Sequence, residues 1–295
     1  MVNPETLRRI RRIELYTRRL VNESFAGAYH SVFKGRGMAF DAVRPYQPGD
    51  DVRDIDWNVT ARANEAFVKR YREERELTVM LMLDSSASCS FGTTNRPKRD
   101  LAAELGAVLA LAAITNNDRV GLLIFSDKIE HFITPRKGRN HTLRLIRDLL
   151  AARSTNRGTD LSMALRAVNS RLKQRAIVFL LSDFLAPAQD YAHDLLVVSR
   201  RHDLIGVVMS DPREENWPDV GIVGLSDAES GATHWVDTSS KKWRSQFEQQ
   251  TARFRQFRDT TLARAGVDRI DLPANGDYVR ALTAFFQQRA QRIKR

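Results

Sequence analysis

The sequence predicts an α/β protein: a doubly wound, mostly parallel sheet, with a small β-rich element inserted before the first core strand and a basic helix at the N-terminus. Three observations carry this expectation. Apolar runs of strand length recur at Leu77–Leu83, Ala176–Leu181 and Leu204–Met209, too continuous for a half-solvated sheet and suited to strands covered on both faces. Between them lie segments of helical length rich in Ala, Leu and charged residues. Ahead of them, residues 25–75 are punctuated by Gly27, Gly35, Gly37, Pro45, Pro48 and Gly49, a turn-rich composition that does not continue the α/β rhythm.

Taken in order, residues 4–21 place Leu7, Ile10, Ile13, Thr17 and Leu20 at near-helical spacing, with Arg8, Arg9, Arg11, Arg12, Arg18 and Arg19 between them. Such a basic amphipathic helix fits either an acidic surface or simple packing on its own domain with a solvated Arg face. The β-rich element carries Asp50, Asp51, Asp54 and Asp56 close to Arg44, Arg53, Arg62 and Arg70. Asp54 and Asp56, two apart, could share a strand face as an acid–base pair, and the plainer alternative is an ion-pair network that fixes the element's shape. Residues 1–75 are accordingly read as the N-terminal helix plus the small β-rich element, and 76–295 as the α/β domain with a C-terminal extension.

In that second region the expected order is strand 77–83, helix 96–116, strands 119–125 and 128–134 about a turn at Ser126-Asp127, helices 141–153 and 160–173, and strand 176–181. A helix at 189–201 and a strand at 204–209 follow, then a hairpin of 220–225 with 233–236, a long charged helix at 243–264, a final strand at 267–272 and a closing helix at 277–292.

Composition narrows the functional classes. The 295-residue chain is 42% hydrophobic, enough for a sizeable core. Its longest apolar run, Leu105–Ile114, falls far short of the roughly 20 residues that span a bilayer, so no transmembrane helix is expected. The N-terminus lacks the apolar core of a signal peptide, and a single cysteine, Cys89, fits a reducing compartment; a cytoplasmic location is the expectation. The 47 Lys and Arg against 36 Asp and Glu leave +11, which raises the question of an anionic partner. The basic residues are scattered, however, and no zinc-finger spacing, RNA-binding aromatic motif or phosphate-cradling loop accompanies them, which argues against nucleic acid.

The chemistry-bearing pattern is Asp84-Ser85-Ser86-Ala87-Ser88 at the end of the first core strand, with Thr159 in the loop before a helix and Asp183 at the end of the 176–181 strand. Carboxylates and hydroxyls are hard oxygen donors of the kind Mg2+ takes at about 2.0–2.1 Å. Beyond the carboxyl ends of strands is where open α/β sheets bind ligands. Singly, each residue reads as a turn or cap; only their conjunction points to a cation.

The D-x-S-x-S, Thr, Asp series resembles the metal-ion-dependent adhesion site of von Willebrand factor A domains. That resemblance implies Asp84, Ser86, Ser88, Thr159 and Asp183 as metal ligands for Mg2+, or for Mn2+ or Ca2+. Cys89 stands where that pattern usually carries Met, at a packing position. Upstream, Arg44-Pro45-Tyr46-Gln47-Pro48-Gly49-Asp50-Asp51-Val52-Arg53-Asp54-Ile55-Asp56-Trp57 and Ala61-Arg62 resemble the signature of the bacterial family called domain of unknown function 58. The resemblance implies association with MoxR-type AAA+ ATPases, and hence a non-enzymatic adaptor whose metal accepts an acidic side chain from that ATPase or its client, in chaperone-like maturation of a complex. A metal-dependent hydrolase is the competing class, but the six histidines show no H-E-x-x-H spacing and the serines no G-x-S-x-G elbow, so no catalytic residue is assigned. A basic nucleic-acid-binding protein is the third.

Overall fold

The computed structural model describes residues 29, 32, 37–63, 65–74, 76–93, 96–152, 158–227 and 231–293; the basic helix expected over 4–21 lies outside them. The chain groups into two compact units, Phe33–Leu77 and the remainder, Met1–Val32 with Thr78–Arg295. Tyr29 belongs with the larger unit, where its hydroxyl donates to Asp118 Oδ2 at 3.1 Å and its ring meets Phe286 edge-on at 6.0 Å.

In the smaller unit, β1 (Gly37–Pro45) pairs antiparallel with β2 (Phe67–Glu74), and α1 (Trp57–Ala63) lies between them in sequence. The clustered charges build turns. Arg44 grips Asp50 through two bonds of 2.7 and 2.6 Å, and Asp50 also accepts from Gln47 N at 2.9 Å. Asp51 accepts from Arg53 N, and Asp56 accepts from Asn58 N and Val59 N at the start of α1. Asp56 is thus a helix cap, Asp54 lies in the short 3-10 turn Val52–Asp54 rather than on a strand face shared with it, and of the expected ion pairs the described contacts contain Arg44–Asp50.

The larger unit is a six-stranded sheet of β3 (Thr78–Asp84), β4 (Arg119–Phe125), β5 (Ile129–Arg136), β6 (Ile177–Ser182), β7 (Asp203–Ser210) and β10 (Asp268–Pro273), in spatial order β10-β7-β6-β3-β4-β5. All neighbours run parallel except β5, which returns antiparallel to β4 as a hairpin edge. A separate ribbon, β8 (Ile222–Ser226) with β9 (Thr233–Asp237), forms the expected later hairpin.

Helices α2 (Lys98–Thr115), α3 (Arg139–Ala151), α4 (Leu161–Arg171), α5 (Ala188–Arg201), α6 (Pro212–Glu215), α7 (Lys241–Arg264) and α8 (Tyr278–Ile293) surround the sheet. Met80, Met82, Leu123 and Phe125 pack with Leu161 and Leu165 of α4, Leu195 of α5 and Leu262 of α7. On the opposite face α2 packs against α3 and the central strands. Coverage on both sides explains why β3 and β6 are almost wholly apolar and buried. Among the described residues no helix is long and apolar enough to cross a membrane.

Two buried positions give measurable expectations. A Cβ on Gly121 would lie 2.7 Å from Pro135 Cγ and 2.9 Å from both Ile133 O and Met80 Sδ. Gly121→Ala is therefore expected to cost about 1–3 kcal/mol by overpacking, read as a lowered urea midpoint. His202, buried at the C-terminal end of α5, accepts Ala176 N, just before β6, on Nδ1 at 3.2 Å, which requires the neutral ring; burial, aided by Arg201 and Arg175, lowers its pKa from 6.5 to about 4. With the folded value below the unfolded one, this stability is complete above pH 6.5 and is lost as pH falls toward 4. His202→Asn, which keeps an acceptor at that place, should show a smaller drop in melting temperature between pH 7 and 4.5.

Candidate functional site

Numbered along the chain, the sheet order places the first and fourth sheet strands, β3 and β6, side by side at the centre, with the following helices leaving toward opposite faces. The reversal opens a crevice at the carboxyl ends of those two strands. Asp84 is the last residue of β3, and Asp183 directly follows β6. Because Leu83 pairs with Leu181, Asp84 comes opposite Ser182, whose hydroxyl donates to Asp84 Oδ2 at 2.6 Å.

The alternation in the serine loop has a direct structural cause. Ser86 N donates to Asp84 Oδ1 at 3.0 Å, folding the backbone back on the carboxylate, and the Ser86 and Ser88 hydroxyls lie 3.1 Å apart. Ser85 turns the other way, bonding Phe125 O at the end of β4 through both its N–H and its hydroxyl. Asp183 Oδ1 accepts Leu185 N at 3.2 Å, and the intervening Phe184 sits at φ 53° while its ring packs against Tyr191. A buried aromatic in the left-handed region is strained backbone, held here by tertiary packing beside a charged group.

The structure thus gathers Asp84, Ser86 and Asp183 into one buried cluster, with half-buried Ser88 bonded to Ser86. Thr159 is half-buried on the same edge of the sheet: Asp160 N donates to Ser126 O just past β4, while the Asp160 carboxylate caps α4 through Met163 N. Ligand atoms of Asp84, Cys89 and Asp183 all lie within 4.8 Å of one another, a group that could hold a metal ion. Burial, with Asp183 and Asp84 adding to it, pushes the Cys89 thiol well up, so it stays protonated and is a poor ligand beside the oxygen donors.

Two residues outside the sequence-derived set belong to the cluster. Lys98, fully buried in the first turn of α2, donates to Asp183 Oδ2 at 2.8 Å and to Glu214 Oε1 of α6. Burial opposes its charge, yet Asp183 and Glu214 outweigh it and hold the ammonium's pKa above the usual lysine value. The one sequence signal is its place directly after Pro97 at a helix start, where a cation opposes the helix dipole and therefore needs carboxylate partners.

The donor set passes a simple test of charge and hardness for a divalent ion. Asp84 and Asp183 bring two carboxylates and Ser86 and Ser88 two hydroxyls, all hard oxygen donors, while the Lys98 ammonium on Asp183 is shared with Glu214 outside the donor set. Burial first, and the neighbouring Asp183 second, push the Asp84 pKa up to about 6.

An open, mostly parallel sheet with a buried carboxylate–hydroxyl cluster at its topological switch point defines the class of this protein. The chain belongs to the family described as Protein of unknown function DUF58, which matches residues 42–257. It is 30% identical over 289 residues to uncharacterized proteins of Mycobacterium tuberculosis and Mycobacterium bovis, covering 97% of this chain and 90% of theirs. Among solved structures it is similar to the conserved hypothetical protein BatB from Bacteroides thetaiotaomicron, with a TM-score of 0.44 and 12% identity over 73% of this chain and 99% of that one. It is also similar to the SpRpn10 VWA domain, with a TM-score of 0.39 and 10% identity over 72% of this chain and 95% of the other.

The raised pKa of Asp84 has a definite sign. The folded, metal-free protein keeps a proton that the unfolded chain gives up, so stability falls as pH rises from about 4 to about 6 and stays at the lower level above that. Asp84→Asn, which can still bond Ser86 N and Ser182 Oγ, should remove this limb. In chelator, its melting temperature at pH 8 is expected to equal or exceed that of the unsubstituted protein, with the advantage gone at pH 4.

Proposed function

We propose that this chain is a non-enzymatic, metal-dependent protein-interaction adaptor acting in the cytoplasm. Asp84, Ser86, Ser88, Thr159 and Asp183 would hold the cation, Mg2+ or else Mn2+ or Ca2+. The observation that carries the reading is the buried pair Asp84 and Asp183 at the ends of adjacent central strands, with ligand atoms within 4.8 Å of one another and one ammonium, Lys98, on Asp183. When bound, the ion supplies a Lewis-acidic position open to a carboxylate from another molecule. The chain's own part is to fix the donors: Ser182 orients Asp84, the Leu185 N–H orients Asp183, and the serine loop turns Ser86 inward. The partner we favour is a MoxR-type AAA+ ATPase or its client, in maturation of a protein complex; this rests on the family resemblance of the 44–62 segment.

The hydrolase alternative has less support, since the metal-capable group among the described residues contains no histidine and His202 is engaged by Ala176 N just before β6. For the nucleic-acid alternative, arginines of the C-terminal half are spent in pairs: Arg255 with Glu215, Arg269 with Asp259 and Asp271, and Arg289 and Arg292 with Asp268.

Calorimetric titration with Mg2+ and Mn2+ should show a single site whose affinity falls more than about tenfold in Asp84→Ala and in Asp183→Ala, since even loss of an outer partner costs about 10–100-fold. Capture of the ATPase should disappear on chelation and in both variants, while Cys89→Ala should leave it intact. Capture that survives chelation and both Asp substitutions would overturn metal-bridged docking.

A further inference from the structure

Lys98 is the point at which the molecule departs from a plain oxygen-lined cation site. Its side chain is fully buried, and it stands in the first turn of α2, where the aligned peptide dipoles already present positive charge. Only carboxylates make such a position tenable, and two of them meet it. Asp183 belongs to the cation site; Glu214 does not. Glu214 is a built acceptor: its Oε2 takes Asp211 N at 2.9 Å in a capping box, leaving Oε1 for Lys98. The Asp211 carboxylate, in turn, accepts Thr93 N at 2.8 Å and the Thr93 hydroxyl at 2.5 Å, from the loop that leads into α2. The element that carries the second carboxylate is therefore tied to the segment that carries the lysine.

We infer that Lys98 is a tethered counter-cation that competes with the divalent ion for Asp183, and that Glu214 is the seat its ammonium keeps when the ion binds. The inference deepens the divalent-cation reading above and rests on it. An ammonium on a flexible four-carbon stem can give up one acceptor and retain another by a small swing, which a guanidinium fork could not do as readily. The charge count agrees: the carboxylates of Asp84, Asp183 and Glu214 with the one ammonium leave two negative charges, which one divalent ion cancels. Without the ion, Lys98 neutralises Asp183. With it, the lysine retires toward α6, and the bonds from Asp211 to Thr93 place that shift on two segments at the mouth of the site.

The test is titration of the full chain with Mn2+, by calorimetry and by the electron paramagnetic resonance of bound Mn2+, for the unsubstituted protein, Lys98→Met, Glu214→Gln and the double variant. Lys98→Met should bind about tenfold or more tighter, because a like charge has left the site. Glu214→Gln should bind more weakly than the unsubstituted protein, yet the double variant should bind like Lys98→Met alone, the non-additivity expected if Glu214 acts through the lysine. Additive effects would overturn the seat assigned to Glu214, and equal affinity of Lys98→Met and the unsubstituted protein would overturn the competition while leaving the metal reading intact. Absence of Mn2+ binding in all four folded proteins would sink the metal reading itself. Should Lys98→Met fail to fold, anomalous diffraction from Mn2+-soaked crystals of the unsubstituted chain decides: Nζ on Glu214 and off Asp183 supports the inference, and Nζ still on Asp183 overturns it.

Discussion

Negative charge buried at the ends of two adjacent parallel strands is the constraint around which the functional half of this protein is arranged. Asp84 and Asp183 are almost wholly removed from solvent, yet neither side chain can leave, because the strands that end in them form the middle of the sheet. Burying ionised groups is costly unless each is paired and hydrogen-bonded. The surroundings meet that demand with Ser182, the backbone of Ser86 and Leu185, and the ammonium of Lys98. Ser182 and Leu185 come from the end of β6, Ser86 from the loop after β3 and Lys98 from α2, whose bond to Glu214 adds α6, so the electrostatics of one crevice tie these elements together.

The same demand accounts for features that look incidental one at a time. The left-handed Phe184 lets the chain turn sharply after Ser182, so that Asp183 and the aromatic ring take opposite directions, one into the crevice and one against Tyr191. The short helix α6 exists as a capping box whose glutamate has a free oxygen for Lys98. Cys89 fills space beside two carboxylates that keep its thiol protonated, which suits packing and disfavours redox chemistry.

The smaller unit follows a different economy. The acidic and basic residues whose side chains are described there are at least partly exposed, and the Arg44–Asp50 pair shapes a turn where an ion pair adds little to stability. The segment that carries the family resemblance is thus built largely from local side-chain-to-backbone bonds at Asp50, Asp51 and Asp56.

Sequence alone determined the strand–helix alternation, because continuous apolar runs such as 77–83 and 176–181 suit only strands covered on both faces, and the register of those runs fixed Asp84 and Asp183 at carboxyl ends. It also marked Ser86 and Ser88, since alternation along a loop leaving a strand is a local property. It did not reveal Lys98 or Glu214. Lys98 lies in a helix's first turn and Glu214 in a four-residue helix 116 positions later, so neither has a local pattern that distinguishes it from a solvated charge. Only the folding of the sheet, which sets β7 two strands from β3 and brings α6 back over the crevice, decides that this lysine is buried between two carboxylates. Periodicity reports which face a residue occupies; which charge neutralises which is a long-range matter that the tertiary structure settles.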